Sequence, residues 1–261
     1  MKKDLYFFYK NLILNFKNAK ALSGSFYWSL FGMILNNSSF FFIWYFLLYT
    51  TGPINGWDSL DVFAMMGIAM FTFGITFTFF YGMCELPSYI LQGKFDSVLL
   101  SPRNLIIRLS GMNFSITAIS DLLIGTFFIL YYPIVKGFSF GQFAGFIFFV
   151  LCGVVVFFCI KLLTGIISFY VQDGEVVGIQ IFDIFLRPGL YPGSMFNNNL
   201  KIFFVTVIPS LITSTVPIEY IKNPTSNIVF ITIISTICWV CITIFLFKKS
   251  IKRYESGNFL R

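Results

Sequence analysis

Residues 140–160, FGQFAGFIFFVLCGVVVFFCI, run for twenty-one positions without an Asp, Glu, Lys or Arg. A helix rises about 1.5 Å per residue, so this run spans about 30 Å, the thickness of a bilayer's hydrocarbon core. Apolar stretches of similar length flank it: 28–49, 60–83 and 106–131 before it, and 228–247 after it, the last closed by Lys248 and Lys249. The totals agree. Of 261 residues 57% are hydrophobic, 21% aromatic and only 11% charged, with a mean hydropathy of +0.83. A water-soluble domain carries about 25% charge, so this composition cannot cover a wet surface. The expected fold is all-α: a polytopic membrane protein of six transmembrane helices in one domain, with no room for a separate soluble catalytic domain.

Composition also removes chemistry. The chain has no histidine, which excludes His-based acid-base catalysis, His-activated nucleophiles and His-containing zinc sites. The five cysteines lie in or beside apolar runs; Cys238 and Cys241 form a CxxC inside a spanning segment with no second ligand pair, so neither a disulfide framework nor a metal site is expected. The net charge of +7 is read as membrane topology rather than as nucleic-acid binding.

Residues 1–21 carry five lysines beside an arc of Leu5, Phe8, Leu12 and Phe16, the pattern of a basic amphipathic helix lying on an anionic leaflet rather than of a secretion signal. Between 160 and 228 two connections fit. In the first, 162–187 crosses and 200–218 dips into the outer side, within an outer or re-entrant segment over 188–227. In the second, the fourth span continues to about Tyr170, 174–187 lies at the inner surface and 200–218 crosses. Both give six crossings with both termini on one side. Under the first, one side holds fourteen Lys and Arg and the other four; under the second the split is sixteen against two. The positive-inside rule makes the richer side, with both termini, cytoplasmic, in a cell membrane.

The segment 84–104 is the least apolar interior stretch. Pro87 suits a first helical turn, Leu91, Phe95, Val98 and Leu99 are expected on one helical face, and Ser101-Pro102 stops the helix. It either covers the bundle at the lipid interface or forms a knob for a cytosolic partner, with Phe95 and its neighbours as apolar anchors and Lys94, Asp96 and Arg103 for orientation. Gly93-Lys94-Phe95-Asp96, then Leu99-Leu100-Ser101-Pro102-Arg103-Asn104, resembles the Gly-x-x-Asp, Leu-Leu, Pro pattern in the first cytoplasmic loop of a subfamily of ABC transporter permeases of the type-2 exporter class. Tyr191-Pro192 followed by Ile208-Pro209, and Arg253-Tyr254-Glu255-Ser256, are similar to that subfamily's segment before the last span and its closing motif.

The resemblance implies a permease that works as a dimer, with the same or a related chain, on two cytosolic ABC ATPase subunits. It implies that the first loop helix transmits closure through Leu91, Gly93, Lys94, Phe95, Asp96, Leu99, Pro102 and Arg103. It also implies a lid before the last span, favouring the first connection. This chain has no Gly-x-x-x-x-Gly-Lys, so ATP and Mg are expected on the partner, with no cofactor, metal or catalytic residue here. Four acids are candidates for a polar translocation path: Asp121, Asp173, Glu175 and Asp183. The alternative pairs Asp121 with a neighbouring hydroxyl or amide and leaves the others at wet helix ends. Two rival functions stay open, a proton-driven transporter using Asp121 and Asp173, and a membrane scaffold for a cytosolic protein. The spacings Gly141 to Gly145 and Gly174 to Gly178 suit close helix approach.

Overall fold

The computed structural model describes residues 2–21, 23–102, 104–224 and 227–254. Among them it has thirteen α-helices and no strand: α1 Lys2–Ala21, α2 Ser23–Thr51, α3 Ser59–Phe79, α4 Tyr81–Cys84, α5 Leu86–Leu91, α6 Phe95–Leu99, α7 Leu105–Ser110, α8 Thr117–Lys136, α9 Phe140–Ile166, α10 Gly174–Leu186, α11 Asn198–Thr206, α12 Val216–Lys222 and α13 Asn227–Ile251. Five helices are long and apolar enough to cross a membrane: Phe26–Thr51, Ser59–Phe79, Thr117–Lys136, Phe140–Phe169 and Asn227–Ile251.

The sharpest starts are capped as the sequence allows. Asp58 and Asp61 form a capping box at α3, and Ser139 and Gln142 another at α9. The third stretch, expected as one helix over 106–131, is two. α7 ends at Ser110 and α8 begins at Thr117, because Asn113 accepts from its neighbour Phe114 N at 2.9 Å and Ser115 N turns to Phe77 O at 3.3 Å. Short polar side chains and a diverted amide compete with the helix ladder there. The second stretch likewise stops at Phe79 instead of 83, and the fourth helix continues as a 3-10 turn over Ile167–Phe169.

The long helices run between two ends. One end holds the turn at 52–57; the opposite end holds α4 to α7 and Tyr254. α10 retraces α9 from the opposite end. A Cβ at Gly174 would come within 2.4 Å of Ser168 Cα, and one at Gly178 within 2.7 Å of Thr164 O, so only glycine lets these backbones approach. Further along, Phe182 meets Phe157 edge-on at 5.5 Å. A 3-10 turn over Arg187–Leu190 then carries the chain to the turn end, where Asn55 Nδ2 donates to Ser194 O at 2.9 Å. Of the Gly141 and Gly145 pair, nothing lies near Gly141, while Gly145 makes room for the Tyr220 ring of α12.

α11 and α12 form a hairpin that enters from the turn end and returns to it. At its tip Thr213 O accepts from Thr72 Oγ1 at 3.4 Å, and the Ile212 carbonyl lies against Gly153, half-way along α9. Lys201 and Glu219 join its two legs at 2.9 Å, and Lys222 donates to Gly56 O at 2.6 Å. The described path shares features with both connections: the fourth helix runs on to Phe169 as in the second, and α10 lies along α9 with the α11 and α12 hairpin returning to the turn end as in the first. At the opposite end Phe8 of α1 lies against Phe80, the part-exposed Phe16 against Phe26 and Phe114, and Asn15 Nδ2 donates to Gly111 O at 3.1 Å, while the Leu5 side chain lies outside the described residues.

Candidate functional site

The segment 84–104 is not one helix. Pro87 sits in the first turn of α5 as expected, but Gly93 takes a left-handed φ of 66° and separates α5 from α6. This corrects the expectation that Leu91, Phe95, Val98 and Leu99 share a face. Phe95 and Val98 point inward, with 0% and 1% exposure, whereas Leu91 and Leu99 are exposed and Leu100 is 86% exposed. Phe95 therefore cannot be an anchor offered to a partner. It is a bolt, held edge-on by Phe169 at 5.5 Å and Tyr254 at 4.9 Å.

Asp96 is half-buried beside that bolt and hydrogen-bonds the Tyr254 side chain; burial, then this carboxylate, push the Tyr254 phenol up to about 12. Gly93, Lys94 and Pro102 are exposed, and Arg103 lies outside the described residues. The outer surface of this unit is thus apolar at Leu91, Leu99 and Leu100 and cationic at Lys94. Its inner surface is welded to the foot of α9 and to the chain just beyond α13.

Next to this unit, a cavity of about 220 Å³ lies between α4, α5, α9 and α10, lined by Tyr81, Glu85, Lys161 and Glu175 among others. The Lys161 ammonium lies over the rings of Phe182 at 4.8 Å and Phe77 at 5.7 Å. Burial and the Glu85 carboxylate raise the Tyr81 phenol, and burial pushes the adjacent Cys84 thiol up to about 12, so that thiol is inert at neutral pH.

The four acids do not converge. Asp121, on the second turn of α8, is buried and accepts from Asn37 Nδ2 at 2.5 Å through one oxygen; the other oxygen has no partner among the described residues. Asp173 is exposed as the N-cap of α10, apart from Asp121, and Glu175 is exposed in the first turn of that helix, on the wall of the Lys161 cavity. Asp183 is exposed in the second half of α10, near exposed Gln180 and Arg187.

A fifth acid was not among the candidates. Asp61 is 1% exposed and fully engaged: Oδ1 accepts from Tyr132 Oη at 2.9 Å and faces Lys136 at 3.2 Å, and Oδ2 meets Lys222 at 2.5 Å. Lys136 also reaches Asp58 at 2.6 Å. This cluster pins α3, α8 and the returning leg of the hairpin together at the turn end. The Asp58, Asp61 capping pattern is visible in the sequence; the distant lysines that complete the cluster are not.

The family model described as ABC-2 family transporter protein matches residues 34–257, from within α2 to just past Tyr254, and so takes in α3 to α13 with both helices of the 84–104 segment. No curated protein and no solved structure matches the chain.

Proposed function

The chain belongs to the ABC-2 family of transporter proteins and is a multi-pass membrane permease component of an ABC transporter, and from that premise we propose that it forms half of a permease dimer driven by separate cytosolic ATPase subunits. Its cargo is an amphipathic or lipophilic molecule moved outward from the cytoplasm or inner leaflet. The observation that carries the coupling is α6, apolar and cationic on its free side and bolted through Phe95 to Phe169 and Tyr254 on the other. Closure of the ATPase subunits pushes on Leu99 and Leu100, and the weld passes the push to α9 and α13, so that two states with different contacts are exchanged. ATP and Mg belong to the partner, since this chain has no Gly-x-x-x-x-Gly-Lys.

Six crossings fit this reading. The thirteen residues of α10 rise about 20 Å and the four of the following 3-10 turn about 8 Å, together close to the bilayer core. The hairpin of α11 and α12 then covers the outer side. The end carrying α1 and α4 to α7 is cytoplasmic, because twelve of the sixteen Lys and Arg among the described residues lie towards it. The dimer face is the one bounded by α2 and α10. α2 buries only Phe26, Asn37, Trp44 and Leu48 among its described residues, and α10 exposes Asp183 where lipid contact costs about 2.5–3.5 kcal/mol for a carboxylate. A second copy, or the water-filled path between copies, relieves that cost.

The coupling is tested with two variants of the complex reconstituted in vesicles. Leu99→Asp with Leu100→Asp should release the ATPase subunits, whereas Phe95→Ala should keep them bound but cut transport per ATP hydrolysed by tenfold or more. Unchanged transport and binding in both variants overturns the coupling role of α6.

A further inference from the structure

We propose that the cavity beside Asp121 is a binding site for a lipophilic monocation, an amphiphile with one positive centre and apolar groups around it. This deepens the pathway reading above and rests on it. The cavity, of about 230 Å³, lies between α2, α3, α8 and the turn that follows α10. Its walls are almost entirely apolar, built on Met65, Met66, Met70, Phe40, Trp44 and Phe157. Into this wall comes one ionisable side chain, Asp121, itself only 2% exposed.

The carboxylate is half satisfied. Asn37, also on the cavity wall, donates to Oδ1 at 2.5 Å, and Oδ2 meets no donor among the described residues. No Lys or Arg lines the cavity. Contrast Asp61 at the other end of the bundle, where two lysines and a tyrosine occupy both oxygens. A buried carboxylate needs compensation, and here one oxygen is buried without a partner among the described residues, in a side chain on the wall of a space of ligand size. Methionine sulfur and aromatic faces are polarisable and suit a cation whose charge is spread or shielded by apolar groups. Besides Asp121 the polar side chains of the wall are Asn36, Asn37, Thr72 and Thr213, with no cation to hold an anion against the Asp121 carboxylate.

The test uses two probes of nearly equal shape, methyltriphenylphosphonium and neutral triphenylphosphine oxide. Each is bound to the full chain in lipid nanodiscs after subtraction of empty nanodiscs. The cation should bind saturably and at least tenfold more tightly than the oxide. Asp121→Asn should weaken the cation at least tenfold and leave the oxide unchanged, and Asp121→Glu should keep the preference for the cation. Equal binding of the two probes by the unmodified chain, no saturable binding of the cation, or full binding by Asp121→Asn overturns the proposal. The first two outcomes need no variant to fold. No ATPase takes part, so a failed coupling role leaves this result intact, and failure here leaves the coupling role standing.

Discussion

Tyr254 closes over Phe95 from the far end of the chain, and that contact makes specific demands on both residues. Phe95→Ala removes a fully buried ring and should cost about 3–5 kcal/mol in thermal or denaturant unfolding. Tyr254→Phe keeps the ring contact and loses only the hydrogen bond to Asp96, about 1 kcal/mol. The pH dependence has a definite sign. The Tyr254 phenol is raised in the folded chain to about 12, above the ordinary value of about 10, so its contribution is complete below pH 10 and is lost as pH rises through about 12. The stability gap between the unmodified chain and Tyr254→Phe should therefore narrow between pH 10 and 12; a constant gap contradicts the hydrogen bond. At the turn end, Lys222→Ala leaves the buried Asp61 with Lys136 and Tyr132, so the expected loss is about 2 kcal/mol rather than the full cost of a stranded charge. A melting curve unmoved by that change would show that the cluster does not hold the hairpin.

Among the elements, α10 and the α11 and α12 hairpin decide the topology. In a cysteine-free background, Asn198→Cys should react with a membrane-impermeant maleimide only from the outer side and Glu175→Cys only from the cytoplasmic side. Labelling of both from one side would put α10 on a membrane surface. Much of the layout was legible in advance, because charge-free runs such as 140–160 declare themselves by length alone. The Gly174 and Gly178 pair was legible too, and it is what lets α10 lie on α9. The break after Ser110 was not, since Asn113 and Ser115 end the helix through local hydrogen bonds that hydropathy does not register. Nor was the inward turn of Phe95: a short amphipathic helix shows which face is apolar, but not whether that face meets its own chain or a partner. Its closest ring, Tyr254, comes from beyond the last span, and only the fold brings the two together.

Across the whole molecule three regions follow one another from end to end: the 84–104 unit bolted under α9 and α13, a half-satisfied carboxylate on the wall of an apolar cavity, and a hairpin tied to α3 and α8 by the Asp61 cluster. In the proposed function the chain supplies the path and the lever, and the driving force enters from another protein at Leu99 and Leu100. Purification of the tagged full chain from native membranes in mild detergent tests this most directly. An ATP-hydrolysing subunit should come with it in equal number, and be lost when Leu99 and Leu100 are both replaced by aspartate. A chain that purifies with no hydrolase attached, yet still moves its cargo in ATP-depleted vesicles, would contradict the account.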